Sequence, residues 1–118
     1  MSIADLIARL RDASASIEFN DVMKVIAENY ECIPTRFVNG VGLAAVINEA
    51  SINEGACKIF AFAQLNKLRD AETLACFGAY YRDDVLKMPK GDNSINIRNF
   101  IKDGWSGIRL GGEAFIEE

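Results

Sequence analysis

The chain is 118 residues long, half apolar and a quarter charged, with a formal net charge of −4. That length makes one domain, 1–118, able to bury roughly two thirds of its unfolded surface. The acidic balance and scattered basic residues exclude the basic footprint of a nucleic-acid binder, argue against an anionic membrane as partner, and leave no apolar run of the roughly 20 residues a membrane span needs.

Ile3, Leu6, Ile7 and Leu10 recur at helical spacing, and Ser2 with Asp5 has the pattern of a capping box, so a leading amphipathic helix is expected over 2–13. Phe19, Val22, Met23, Ile26 and Tyr30 repeat the period and predict a second helix over 17–30, which Pro34 stops. Arg36-Phe37-Val38 leads into Asn39-Gly40, a hairpin signal, before the apolar run Leu43 to Ile47. A hairpin is expected there, with a short helix over 43–50 as the alternative.

A third helix over 53–68 is apolar around almost its whole circumference, so it belongs at the centre of the fold. Glu54 and Lys58 are spaced for an ion pair along it. Asp70 suits the cap of a fourth helix with Leu74, Phe77, Gly78, Tyr81 and Val85 along one face. Gly78 in mid-helix costs about 1 kcal/mol against alanine, which points to another backbone packed closely there. Asn93 or Ser94 caps a fifth helix with Ile97, Phe100 and Ile101 inward, closed by Gly104. The tail 107–115 suggests a last strand that pairs with the hairpin. The expected class is α+β: a mainly helical domain of about five helices with a small antiparallel sheet.

The chain contains no histidine. Ser-His-Asp and Cys-His catalysis are therefore excluded, and the commonest zinc ligand and proton shuttle are missing. Three cysteines, Cys32, Cys57 and Cys76, form no CxxC pair and lie among apolar residues, which reads as reduced core thiols of a cytosolic protein. Acidic pairs such as Asp83-Asp84 lack calcium-loop spacing, so no metal and no cofactor is expected. The N-terminus has no basic region followed by an apolar core, so no secretory signal is expected and the chain is placed in the cytoplasm.

Polar residues at the ends of the central helices are the candidate site, because a buried helix holds its ends rigidly. Asn53 and Glu54 open the third helix. Cys57 lies within a turn of that start beside Lys58, a setting that lowers a thiol pKa, although neighbours on a helix diverge by about 100° and a buried structural thiol is the alternative. Tyr80, Tyr81 and Arg82 form a possible recognition patch; otherwise Tyr81 is core and Arg82 pairs with Glu72, Asp83 or Asp84. Asn96, Arg98 and Asn99 occupy the first turns of the fifth helix, either as an anion site or in capping and ion pairing. Trp105 after Gly104 is either a plug for the helix end or a ligand-stacking surface.

Several phrases together resemble the HopJ type III effector family: Tyr30-Glu-Cys-Ile-Pro34, Phe37-Val-Asn39-Gly40, Asn53-Glu-Gly-Ala-Cys57-Lys58, Thr73-Leu-Ala-Cys-Phe-Gly-Ala-Tyr-Tyr-Arg82, Asn96-Ile-Arg98-Asn99-Phe100 and Gly104-Trp105. The resemblance runs from about residue 17 to 115. It implies no activity, cofactor or substrate. The chain departs from the family pattern at Ala56, where a serine usually precedes the cysteine, and at 93–95, where a histidine is usual. Both departures speak against an enzyme. The function expected is a non-enzymatic binding or interaction module with a protein or small-molecule partner, in a host cell if delivered as an effector. The alternatives are a histidine-free enzyme or small-molecule sensor around Cys57, Tyr81 and Arg98.

Overall fold

Helix α1 (Ile3–Asp12) begins at the expected capping box: the Ser2 hydroxyl accepts the Asp5 N–H at 3.0 Å, and the Asp5 carboxylate accepts the Ser2 N–H at 3.5 Å. The computed structural model describes residues 1–117. Leu6 and Leu10 turn inward from α1 onto helix α2 (Phe19–Asn29), whose buried face carries Val22, Val25 and Ile26. Helix α3 (Glu54–Leu65) is the buried axis that its sequence predicts, with Ile59, Phe60, Phe62 and Ala63 fully enclosed. Phe60 is the hub: the rings of Phe37, Phe77, Phe100 and Trp105 all lie within 6.2 Å of its centroid. No described helix is long and apolar enough to cross a membrane.

The class is α+β, with the antiparallel strands arranged as a three-stranded sheet and a separate two-stranded ribbon. Strands β2 (Phe37–Asn39), β3 (Val46–Asn48) and β4 (Ile108–Leu110) form one sheet in the order β3-β2-β4. The hairpin and its pairing with the tail were both expected. The turn differs: Asn39 pairs with Val46, so Asn39-Gly40 is no two-residue turn, and residues 40–45 loop out through a 3₁₀ turn at Gly42–Ala44. Strand β1 (Tyr30–Cys32), which continues directly from α2, pairs with β5 (Phe115–Glu117) in the two-stranded ribbon without a sequence signal of its own.

The expected fourth helix is broken. Helix α4 spans only Asp70–Ala75, capped at Arg69, and the chain resumes as a π-helical turn over Tyr80–Val85. Gly78 is the break, at φ +58°, where a β-carbon would stand 2.6 Å from the Phe19 nitrogen. Close packing against a backbone was the expectation; the left-handed conformation was not. Helix α3 likewise stops at Leu65 rather than 68, with Lys67 left-handed. Helix α5 (Ile95–Asp103) starts after Ser94 and is closed by Gly104 at φ +61°, as expected, but Ile101 faces solvent.

Candidate functional site

A groove of about 260 Å³ opens where the N-termini of α3 and α5 meet, lined by Asn53, Ala56, Phe77, Tyr80, Ser94, Ile95, Asn96 and Ile97. Three of the sequence candidates, Asn53, Tyr80 and Asn96, come together here. Its two lips are Asn53 (φ +56°) and Ser94 (φ +53°), both left-handed without being glycine. A serine in that region costs of order 1–2 kcal/mol, which the surrounding packing must hold. Among the described residues no side chain caps either helix; the Ile97 N–H is taken by the Ser94 carbonyl at 3.0 Å, which leaves the first-turn N–H groups of Glu54–Ala56, Ile95 and Asn96 uncapped.

Asparagine amides hold the groove from behind. The Asn48 oxygen accepts from Asn53 Nδ2 at 2.7 Å and from Asn96 Nδ2 at 3.0 Å, while its own Nδ2 donates to Asn96 Oδ1 at 3.1 Å and to the Val46 carbonyl at 3.4 Å. All four hydrogen-bonding positions of this buried amide are used. Asn39 donates both amide hydrogens to Asn96, at its carbonyl (2.8 Å) and its Oδ1 (3.0 Å), and its own buried Oδ1 has no partner. Asn99 Nδ2 donates to the Asn39 and Ala44 carbonyls at 3.0 and 3.1 Å, which fixes the 40–45 loop against α5. Asn39 and Asn48 were not expected as site residues. Their inward position in strands is the missed signal, because a buried amide needs partners.

Tyr80 is half exposed at the groove and braced edge-on by Phe19, ring centroids 5.2 Å apart. Phe19 has room because residue 55 is glycine: a β-carbon there would stand 2.6 Å from the ring. Tyr81 instead packs against the core. Arg82 pairs with Glu18 at 3.3 Å and donates to the Ile17 carbonyl at 2.7 Å, not to the acidic residues expected for it. Arg98 is a staple rather than an anion fork. It donates to the carbonyls of Asp84, Met88 and Asn93 and to the Asn93 side chain at 2.6 to 3.1 Å, and so ties the 84–93 loop to α5. Trp105 lies half-buried against Phe60 and Phe100, the plug role expected of it.

Glu54, Cys57 and Lys58 face a separate, smaller cavity of about 80 Å³, shared with Cys32, Thr35, Ser51, Ile52 and Ala114. Burial, then negative charge on Cys32 and Glu54, push the Cys57 thiol above its ordinary pKa; a backbone hydrogen bond at Thr35 and Lys58 oppose this without reversing it. The helix start and Lys58 therefore do not activate this thiol. No ion pair joins Lys58 to Glu54 among the described residues. Cys76 is fully buried, its pKa pushed up to about 12 by desolvation. Among the described residues no cluster of three or more cysteine and carboxylate ligands could hold a metal ion.

A family model described as HopJ type III effector protein matches residues 3–115. A crystal structure of an unknown-function protein, VPA0580, is 42% identical, with a TM-score of 0.93 over all of this chain and 95% of that one. No curated protein matches.

Proposed function

This chain belongs to the HopJ type III effector family, and we propose that it is a non-enzymatic binding module whose ligand seats in the groove between α3 and α5. The observation that carries this is the amide-locked groove itself. Asn53 and Asn96 are held rigidly by Asn48 beside an exposed tyrosine, while the groups a reaction would need are engaged elsewhere. Arg82 and Arg98 hold backbone carbonyls, Tyr81 is packed, and the Cys57 thiol is disfavoured as a thiolate. These engagements speak against the enzyme reading around Cys57, Tyr81 and Arg98.

The groove presents donors: uncapped helix N–H groups, the Tyr80 and Ser94 hydroxyls and the Asn53 amide, beside the apolar flank of Ala56, Phe77 and Ile97. Glu54 lines the other cavity and does not offer competing negative charge here. A ligand that fits carries a carboxylate or phosphate oxygen next to a small apolar group. At about 260 Å³ the groove lies below the roughly 300–1,000 Å³ of drug-sized sites, so it takes a small ligand or a single side chain of a partner. No nucleic-acid or membrane partner is proposed. The setting is the cytoplasm of the producing cell, or a host cell if the chain is delivered as an effector.

The test is amide NMR of the native protein titrated with acetate, propionate and inorganic phosphate. Shifts confined to Glu54–Ala56 and Ile95–Ile97, weakened at least tenfold in Tyr80→Ala, are expected. Those amides staying unmoved at millimolar ligand would count against the reading.

A further inference from the structure

We propose that Cys32 and Cys57 are a redox-responsive thiol pair that closes to a disulfide across the cavity between β1 and α3 when the protein meets a hydroperoxide. Strand and helix geometry bring them to the same level. Tyr30 and Cys32 lie on one face of β1, the face turned inward. The Tyr30 ring meets Phe62 of α3 edge-on at 6.3 Å and stacks on Phe115 at 4.6 Å. Two residues onward along the strand, from Tyr30 to Cys32, is about 6.8 Å, and the five residues back along the helix from Phe62 to Cys57 are about 7.5 Å, so the two elements advance together. Cys57 shares its helix face with Ala61. Ala114 borders both the depression that Ala61 lines and the small cavity that holds Cys32 and Cys57.

Two further observations place the thiols close together. Cys57 Sγ donates to the Thr35 carbonyl at 3.5 Å. Thr35 is only three residues beyond Cys32, and the bond from Thr35 Oγ1 to the Ile33 carbonyl at 2.7 Å curls that segment over the helix. Charge on Cys32 also opposes ionisation of Cys57, so the two lie within electrostatic range. Their exposures differ in a way that assigns roles: Cys32 is partly exposed and Cys57 is buried.

Cys32 is the thiol that a peroxide reaches. Its thiolate sulfur attacks one peroxide oxygen, the S–O bond forms as the O–O bond breaks, and the departing oxygen leaves as water or an alcohol after taking a proton. The Cys57 sulfur then attacks the sulfur of the Cys32 sulfenic acid. The S–O bond breaks, and the departing hydroxide takes the Cys57 proton and leaves as water. Two thiols lose two electrons in all, and the peroxide gains them.

The experiment treats the native full chain with hydrogen peroxide, blocks remaining thiols with iodoacetamide and maps non-reduced peptides by mass spectrometry. A Cys32–Cys57 linkage in most chains, with Cys76 alkylated only after unfolding, is expected. Dimedone should trap Cys32 in Cys57→Ser, leave no adduct in Cys32→Ser, and neither variant should show the linkage. The wild-type map alone decides the matter if a variant fails to fold. Cys32 oxidised to the sulfinic acid without a linkage, chains joined to one another through Cys32, or a linkage formed only in urea would each overturn the proposal.

Discussion

Glu72 offers the most direct test of how this fold is held. Its side chain is only 3% exposed, yet it ties α1 to α4: its carboxylate accepts from Arg11 Nε at 2.9 Å, from Arg69 Nη2 at 3.2 Å and from the Arg69 backbone N–H at 2.9 Å. Replacing it with glutamine keeps the volume but turns an amide N–H₂ toward donors. Hydrogen bonds to charged groups contribute roughly 1.5–3 kcal/mol each when sheltered. Both guanidiniums are more than half exposed, however, and exposed pairs contribute about 0.2–1 kcal/mol. The carboxylate end is buried and the partners are not, so the intermediate figure applies: Glu72→Gln should lose about 2 kcal/mol at pH 7.

The loss carries a pH signature. Burial pushes the Glu72 pKa up, but the Arg69 N–H and the two guanidiniums outweigh it, so the folded-state value lies below the ordinary one. A carboxyl with a depressed folded pKa stabilises fully above its unfolded value of about 4.3, and that contribution fades as pH falls through the lower folded value. Urea titrations of wild type and Glu72→Gln at pH 7 and at intervals below pH 4.5 should show a gap that is constant near neutrality and closes in acid. A gap below about 0.5 kcal/mol at pH 7, or one that persists unchanged in acid, would refute the assignment.

Two further substitutions probe the break and the amide lock. In an ordinary helix interior Gly78→Ala would stabilise by about 1 kcal/mol. Here the left-handed φ costs about 1–2 kcal/mol and the 2.6 Å approach to Phe19 adds overpacking of about 1–3, so the melting temperature should fall by roughly 10 °C. A rise on differential scanning calorimetry would show the helix to be continuous. Asn48→Ala strips the buried Asn96 amide of its acceptor and one of its donors and should cost about 2–4 kcal/mol. Faster hydrogen exchange confined to 53–57 and 95–99 would mark the groove as the region released, and uniform acceleration would count against a local lock.

Local signals announced much of this architecture because they act over a few residues. Ser2 and Asp5 cap α1 through neighbouring groups, the all-round apolarity of Ile59 to Ala63 demands burial whatever surrounds it, and Gly104 closes α5 because its own φ must be positive. The resemblance to the HopJ family was likewise carried by ordered phrases alone. What composition and spacing could not supply was orientation. Arg82 reads as part of a recognition patch and Arg98 as an anion fork until the fold sets carbonyls of Ile17 and Asp84 against them. Gly78 reads as helical until the start of α2 is placed on it. Asn39 and Asn48 are ordinary strand residues until β2 and β3 deliver them to Asn96, 57 and 48 residues away along the chain. A hydrogen bond fixes its partner to within tenths of an ångström and a turn of helix fixes only a direction, so the groove belongs to the tertiary structure.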